Sequence, residues 1–280
     1  RSSWVTGVQT CALPISTKIL SENPNKTYSL NYFSELFSCA KSSISEDLQI
    51  ISDIFSEHEW GFIETSYGAG GGIKYIPLIE KEAAIESIEK ICKQLCETSR
   101  ILGNGFIYTS DIMFNPKVME SAAKIFASLF FKKSADFIVT LETKGIPVAL
   151  LTAKLLNLPL VVIRRESKIS EGSTLSINYI SGTNQHVQKM SLSKRAVVSG
   201  TKALVIDDFM RAGGSIKGIR DILEEFEIEV VGTGVVIASK TGEKKKVTDY
   251  VPLIYLEKAD FEEKTISIYP NEDIFATKDK

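Results

Sequence analysis

Apolar residues recur along this chain with the two spacings that separate helices from strands. Ile44, Leu48, Ile51 and Phe55 stand four, three and four residues apart. On a turn of 3.6 residues they form one stripe, which predicts a buried helix over residues 43–57. Ser43 and Glu46 have the spacing of a capping box at its start. A shorter helix is predicted over residues 31–39, with Phe33, Leu36 and Phe37 inward, after a turn at Asn23-Pro24-Asn25. Residues 17–20 read as the end of a truncated helix. Residues 60–65 and 73–77 are extended runs flanking SYGAGGG, the pattern of a hairpin with a loose glycine tip. Helix, helix, hairpin is the plan of a winged helix-turn-helix domain.

Beyond Pro77 the pattern changes. Residues 79–98 predict a charged amphipathic helix with Ile85, Ile88, Cys92 and Leu95 on one side. Residues 116–133 predict another, with Pro116 at its first position. Short apolar runs then alternate with helical ones: strands at 136–141, 160–163, 203–206, 229–238, 253–256 and 265–269, helices at 147–156 and 215–226, and a hairpin from 174–180 and 187–192. Such alternation implies an α/β domain whose mostly parallel sheet is covered by helices on both faces. The domain division expected is 17–79 and 80–280.

Residues 1–16, RSSWVTGVQTCALPIS, fit neither period and lack a signal-peptide layout. GVQTCALPIS resembles translated sequencing-adapter sequence. The segment is read as a non-native scar replacing the true start and is left out of the fold.

The chain has 280 residues, 44% hydrophobic and 24% charged, which is enough apolar material for two soluble domains. No apolar run approaches the roughly 18 residues that span a bilayer, so no membrane partner is expected. Cys11, Cys39, Cys92 and Cys96, with only His58 and His186 for company, read as thiols in a reducing, cytoplasmic setting rather than a metal site. The net charge of −2 gives no sign of a nucleic-acid partner, so any DNA site must come from local patterning.

The sharpest chemistry lies in ALVIDDFMRAGGS, residues 203–215. Asp207 and Asp208 end a buried strand, where their carboxylates can accept the two hydroxyl hydrogens of a ribose. Arg211, Ala212, Gly213, Gly214 and Ser215 can turn their amides inward as an anion nest at a helix start. Glycine permits the backbone to come close to a phosphate. An ordinary capped strand–turn–helix is the bland alternative. In TLETKGIP, residues 140–147, Thr143, Lys144 and Gly145 could hold a second phosphate group. In RRESKISEGSTLSINYISG, residues 164–182, Arg164, Arg165 and Lys168 could reach phosphates. Phe209 and Phe106 could stack on a base or simply belong to the core.

The strand–acid–acid–loop motif resembles the phosphoribosyl pyrophosphate motif of type I phosphoribosyltransferases. The whole chain from about Thr17 to about Tyr269 resembles the purine operon repressors of Gram-positive bacteria. AKSSISEDL, GGIKYIP, TKGIP, EGSTLSINYISG and VIDDFMRAGGS carry the likeness. It implies a winged helix ahead of a type I phosphoribosyltransferase fold, acting as a homodimer on a double-stranded DNA operator of purine genes. It also implies phosphoribosyl pyrophosphate as inducer, accompanied by Mg²⁺, with purine nucleotide alarmones competing for the pocket. Neither catalysis nor a metal site of the protein's own is expected. An active purine phosphoribosyltransferase is the alternative, since it would need the same two acids and loop.

DNA-contact candidates are Lys41, Ser42, Ser43, Ser45 and Gln49 at the start of the second helix, and Lys74 on the wing. Residues 17–79 carry four lysines (18, 26, 41, 74) against eight acids (22, 35, 46, 47, 53, 57, 59, 64). With the family's basic start replaced, weak DNA binding is expected.

Overall fold

The computed structural model describes residues 3–68, 70–103, 105–167, 169–181, 186–240 and 244–275. The chain divides into two compact units, Arg1–Glu80 with Lys154–Asn157, and Lys81–Ala153 with Leu158–Lys280.

The N-terminal unit has three helices, α1 (Ser3–Glu22), α2 (Leu30–Phe37) and α3 (Lys41–Glu57), then a hairpin of β1 (Gly61–Ser66) and β2 (Gly72–Pro77). Ile44, Leu48, Ile51 and Phe55 of α3 pack with Leu20, Phe33, Ile73 and Tyr75 into one core. Burying each such side chain is worth about 1.5–3 kcal/mol. This is the winged-helix plan.

Two expectations fail here. Residues 12–16 belong to α1, with Ala12, Ser16 and Leu20 buried on one side. Alanine and serine at four-residue spacing are weak in a hydrophobic count, so the segment looked patternless. The Ser43–Glu46 capping box does not form. The helix α3 starts two residues earlier, at Lys41, with Ala40 as its N-cap and no side-chain cap bond.

The second unit is built on a six-stranded sheet in the order β12-β11-β10-β9-β5-β6. Its strands are β5 (Phe137–Leu141), β6 (Leu160–Ile163), β9 (Lys202–Met210), β10 (Glu229–Ser239), β11 (Val251–Asp260) and β12 (Thr265–Pro270). All neighbours are parallel except β11 and β12. Helices α4 (Lys81–Leu95), α6 (Pro116–Phe130), α7 (Ile146–Leu156) and α8 (Gly214–Glu224) accompany the sheet. The hairpin of β7 (Thr174–Ser181) and β8 (His186–Ser193) packs on α8. The small β3 (Ile101–Gly103) and β4 (Phe106–Ile107) pair, followed by α5 (Ser110–Met113), was not anticipated. Among the described residues no helix is long and apolar enough to cross a membrane.

Strand β9 runs four residues further than expected, through both acids. Its pairing with β10 continues to Ala238–Met210. Its pairing with β5 ends at Val139–Val205. From β5 the chain moves outward to β6, and from β9 outward to β10. The two central strands therefore part at their carboxyl ends, the place where open α/β sheets bind ligands.

Candidate effector and DNA sites

The parting of β5 and β9 opens a cavity of about 430 Å³. Asp207, Asp208 and Phe209 line it from β9, Ser215 from α8, and Thr143 and Lys144 from the loop after β5. Phe106 and Ile107 of β4 close another side.

Asp207 is 4% exposed, whereas Asp208 is half-buried. Burial, then the adjacent charge of Asp208, pushes the Asp207 carboxyl well above its ordinary value. Burial raises Asp208 as well, and the Lys144 ammonium pulls it back. The Asp208 amide donates to Asp207 Oδ1 at 3.1 Å, fixing one carboxylate by its neighbour's backbone.

Gly145 packs directly behind the acids. A Cβ there would collide with Thr140 Oγ1 and Asp207 Oδ1. The preceding Glu142–Thr143 peptide bond is cis. Lys144 Nζ lies 3.4 Å from Thr109 Oγ1, at the cavity wall.

The turn Arg211–Ser215 hands chain from β9 to α8. Gly213 has φ +81°, a left-handed conformation that favours glycine. The Ala212 carbonyl accepts the Lys246 amide at 2.8 Å, and the Gly213 carbonyl accepts that of Lys217 at 2.9 Å. Among the described residues, the amides of Ala212, Gly213, Gly214 and Ser215 donate no hydrogen bond. The turn thus offers donors, as an anion nest requires. The Arg211 guanidinium lies 5.0 Å from the Phe106 ring centroid, which joins the turn to the opposite wall.

Arg164 is not brought to this cavity. It donates to Glu171 Oε1 at 2.8 Å and to Glu142 Oε2 at 3.2 Å, and it lines a separate cavity beside β6. Arg165 lines the acid cavity instead, with its amide on Glu142 Oε1 at 2.7 Å and its guanidinium on Gln188 Oε1 at 2.7 Å. Adjacent residues in extended chain face opposite ways. The Arg164–Ser191 bridge decides which arginine faces which side, and that long-range pairing is not written in the RRES string. Lys168 lies outside the described residues.

In the N-terminal unit Lys41, Ser42, Ser45 and Gln49 are exposed on α3, and Ser43 is half-buried. Gln49 Nε2 donates to Asp53 Oδ1 at 2.7 Å. Lys74 pairs with Glu64 at 2.7 Å across the hairpin.

Residues 13–77 match the family described as bacterial purine repressor, N-terminal, and residues 110–272 match the phosphoribosyl transferase domain. The purine biosynthesis transcriptional repressor PurR of Bacillus subtilis (strain 168) is 41% identical over 90% of this chain and 88% of its own length. The chain belongs to the bacterial purine repressor family. A family member of Lactococcus lactis subsp. lactis, named a purine biosynthesis transcriptional activator, is 36% identical over 90% of this chain and 93% of its own. The second unit shares its fold with adenine phosphoribosyltransferase from Thermoanaerobacter pseudethanolicus. The TM-score is 0.50 at 20% identity, covering 60% of this chain and 99% of that one.

Proposed function

We propose that this protein is a DNA-binding repressor of purine biosynthesis genes, and that phosphoribosyl pyrophosphate binding in its second unit induces those genes by releasing it from the operator. The cavity at the end of β9 carries the reading. Two adjacent carboxylates stand beside a turn with unengaged amides, the two halves of a grip on a sugar phosphate. Asp207 and Asp208 take the ribose hydroxyls. Ser215 and the Ala212–Gly214 amides take the 5′-phosphate, with helix α8 adding its partial positive end. Lys144, the Thr143–Gly145 loop and Arg165 take the pyrophosphate.

Mg²⁺ would travel with the pyrophosphate. Among the described residues no cluster of three or more metal ligands exists, and Mg²⁺ commonly relies on ligand phosphates plus one or two carboxylates. Purine nucleotide alarmones, which carry similar phosphates, would compete for the cavity. The protein works as a cytoplasmic homodimer and senses the ligand rather than turning it over. The regulator names of relatives spanning about nine-tenths of the chain favour that reading over a purine phosphoribosyltransferase.

The test is fluorescence anisotropy on purine operator DNA, with and without phosphoribosyl pyrophosphate and Mg²⁺. Operator binding that the ligand reverses is expected. Binding that the ligand leaves unchanged removes the inducer role. Pyrophosphate release with a purine base would establish the enzyme instead. Because a related protein is named an activator, transcription from the same operator fixes the sign of regulation.

A further inference from the structure

Cations for a phosphate backbone are scarce in the N-terminal unit. Of its four lysines between residues 17 and 79, Lys18 pairs with Glu22, Lys74 pairs with Glu64, Lys26 lies over the Tyr28 ring, and Lys41 stands exposed at the start of α3. The second unit holds the chain's longest cationic run, Lys244-Lys245-Lys246. With Lys217 of α8, these lysines line an open cavity of about 710 Å³. Asp221 is the one carboxylate among the described residues lining it, and Lys217 engages it at 2.8 Å. Lys244 and Lys246 are exposed.

The same run is fastened to the turn that closes the effector cavity. The Lys245 ammonium donates to the carbonyls of Arg211 and Ser239. The Lys246 amide donates to Ala212 O at 2.8 Å, and its ammonium to Ile180 O at 3.1 Å. Downstream, Arg220 of α8 holds Asp249 O at 2.6 Å. Lys245 therefore spends its charge on the turn, while Lys244 and Lys246 stand at the surface on a loop anchored at both sides. Gly214 lines this cavity and Ser215 lines the other, so one turn separates the two.

We propose that Lys244 and Lys246, beside Lys217, form a second DNA contact on the effector unit that neutralises backbone phosphates of double-stranded DNA. The proposal rests on the reading of the protein as a DNA-binding regulator. Its support is charge: phosphate contacts carry most of the salt-dependent affinity, and the acidic N-terminal unit has few cations to supply them. The contact positions DNA without reading its sequence. The loop's bonds to the turn carbonyls give ligand in the effector cavity a direct route to the lysines.

The experiment compares the full chain with Lys244→Ala/Lys246→Ala, leaving the latched Lys245 in place. Anisotropy on operator and unrelated duplexes is followed over roughly a tenfold range of salt. The variant is expected to bind both duplexes about tenfold more weakly at low salt, with the slope of log affinity against log salt reduced by about 1.8, or about 0.9 per phosphate. Calorimetry with phosphoribosyl pyrophosphate should change less than about twofold, and Lys244→Arg/Lys246→Arg should restore the slope. Equal affinity and slope in parent and variant overturn this contact and leave the regulator reading intact. Weaker binding at an unchanged slope also overturns it, since the loss is then structural. A parent that binds no DNA at low salt overturns both.

Discussion

In the effector unit two adjacent carboxylates stand at the end of β9, one of them 4% exposed. In the N-terminal unit Lys41, Ser42, Ser45 and Gln49 stand in solvent on α3. Buried charge costs stability unless it is paired, whereas an exposed polar side chain costs almost nothing. The acid pair at the end of β9 therefore carries a stability cost, while the exposed start of α3 carries its polar groups without penalty. Substitutions in the first region should move stability and ligand affinity in opposite directions. Substitutions in the second should move DNA binding alone.

Asp207→Asn tests this contrast most strongly. Removing a charge-assisted contact to a ribose hydroxyl should lower phosphoribosyl pyrophosphate affinity on the order of a hundredfold, since such bonds are worth about 1.5–3 kcal/mol. The ligand-free variant should melt higher than the parent at neutral pH. The sign follows from proton uptake. Asp207 titrates higher in the fold than in the unfolded chain, so the folded state holds more protons between the two values. Stability of the parent then falls as pH rises above about 4 and levels off past the folded value. In Asp207→Asn that decline should flatten. Calorimetric melting across pH measures both effects, and a variant that melts lower at neutral pH would show Asp207 to be paired after all.

Gly145→Ala comes next. The added Cβ meets Thr140 Oγ1 and the Asp207 carboxylate, and both side chains are buried, with little room to move aside. Overpacking of this kind costs about 1–3 kcal/mol, so both chemical denaturation midpoint and ligand affinity should drop. Here the two quantities fall together, which separates a packing defect from the charge effect at Asp207.

Ser42→Ala/Gln49→Ala addresses the other region. Operator affinity should fall roughly thirtyfold, at about 1 kcal/mol for each of the two lost contacts to DNA, while urea unfolding shifts by no more than about 0.5 kcal/mol. An equal loss on unrelated duplex DNA would assign these side chains to phosphates rather than base edges.

Much of this was legible in the sequence because local pattern and tertiary role agree. Ile44, Leu48, Ile51 and Phe55 are spaced for a helix and buried in one. The ALVIDD string is apolar up to the acids, and those acids do face a cavity. What was not legible depended on distant partners. Strand β9 extends through Met210 because β10 continues beside it. Arg165 rather than Arg164 lines the acid cavity because Arg164 bridges to Ser191. The part of helix α1 ahead of residue 17 escaped the pattern because its buried face uses Ala12 and Ser16, small residues that only a neighbouring core makes meaningful.

Ser43 gives the smallest effect and a sharp discrimination. A serine that caps a helix loses about 1 kcal/mol on truncation to alanine. The spacing Ser43–Glu46 advertises that role, yet Ala40 is the N-cap of α3 and Ser43 lies within its first turn. There serine has a lower helix propensity than alanine, by a few tenths of a kcal/mol. Ser43→Ala should therefore leave stability unchanged or raise it slightly in urea titration. A loss near 1 kcal/mol would mean that α3 starts at Ser43 in solution, and Lys41 and Ser42 would then leave the helix.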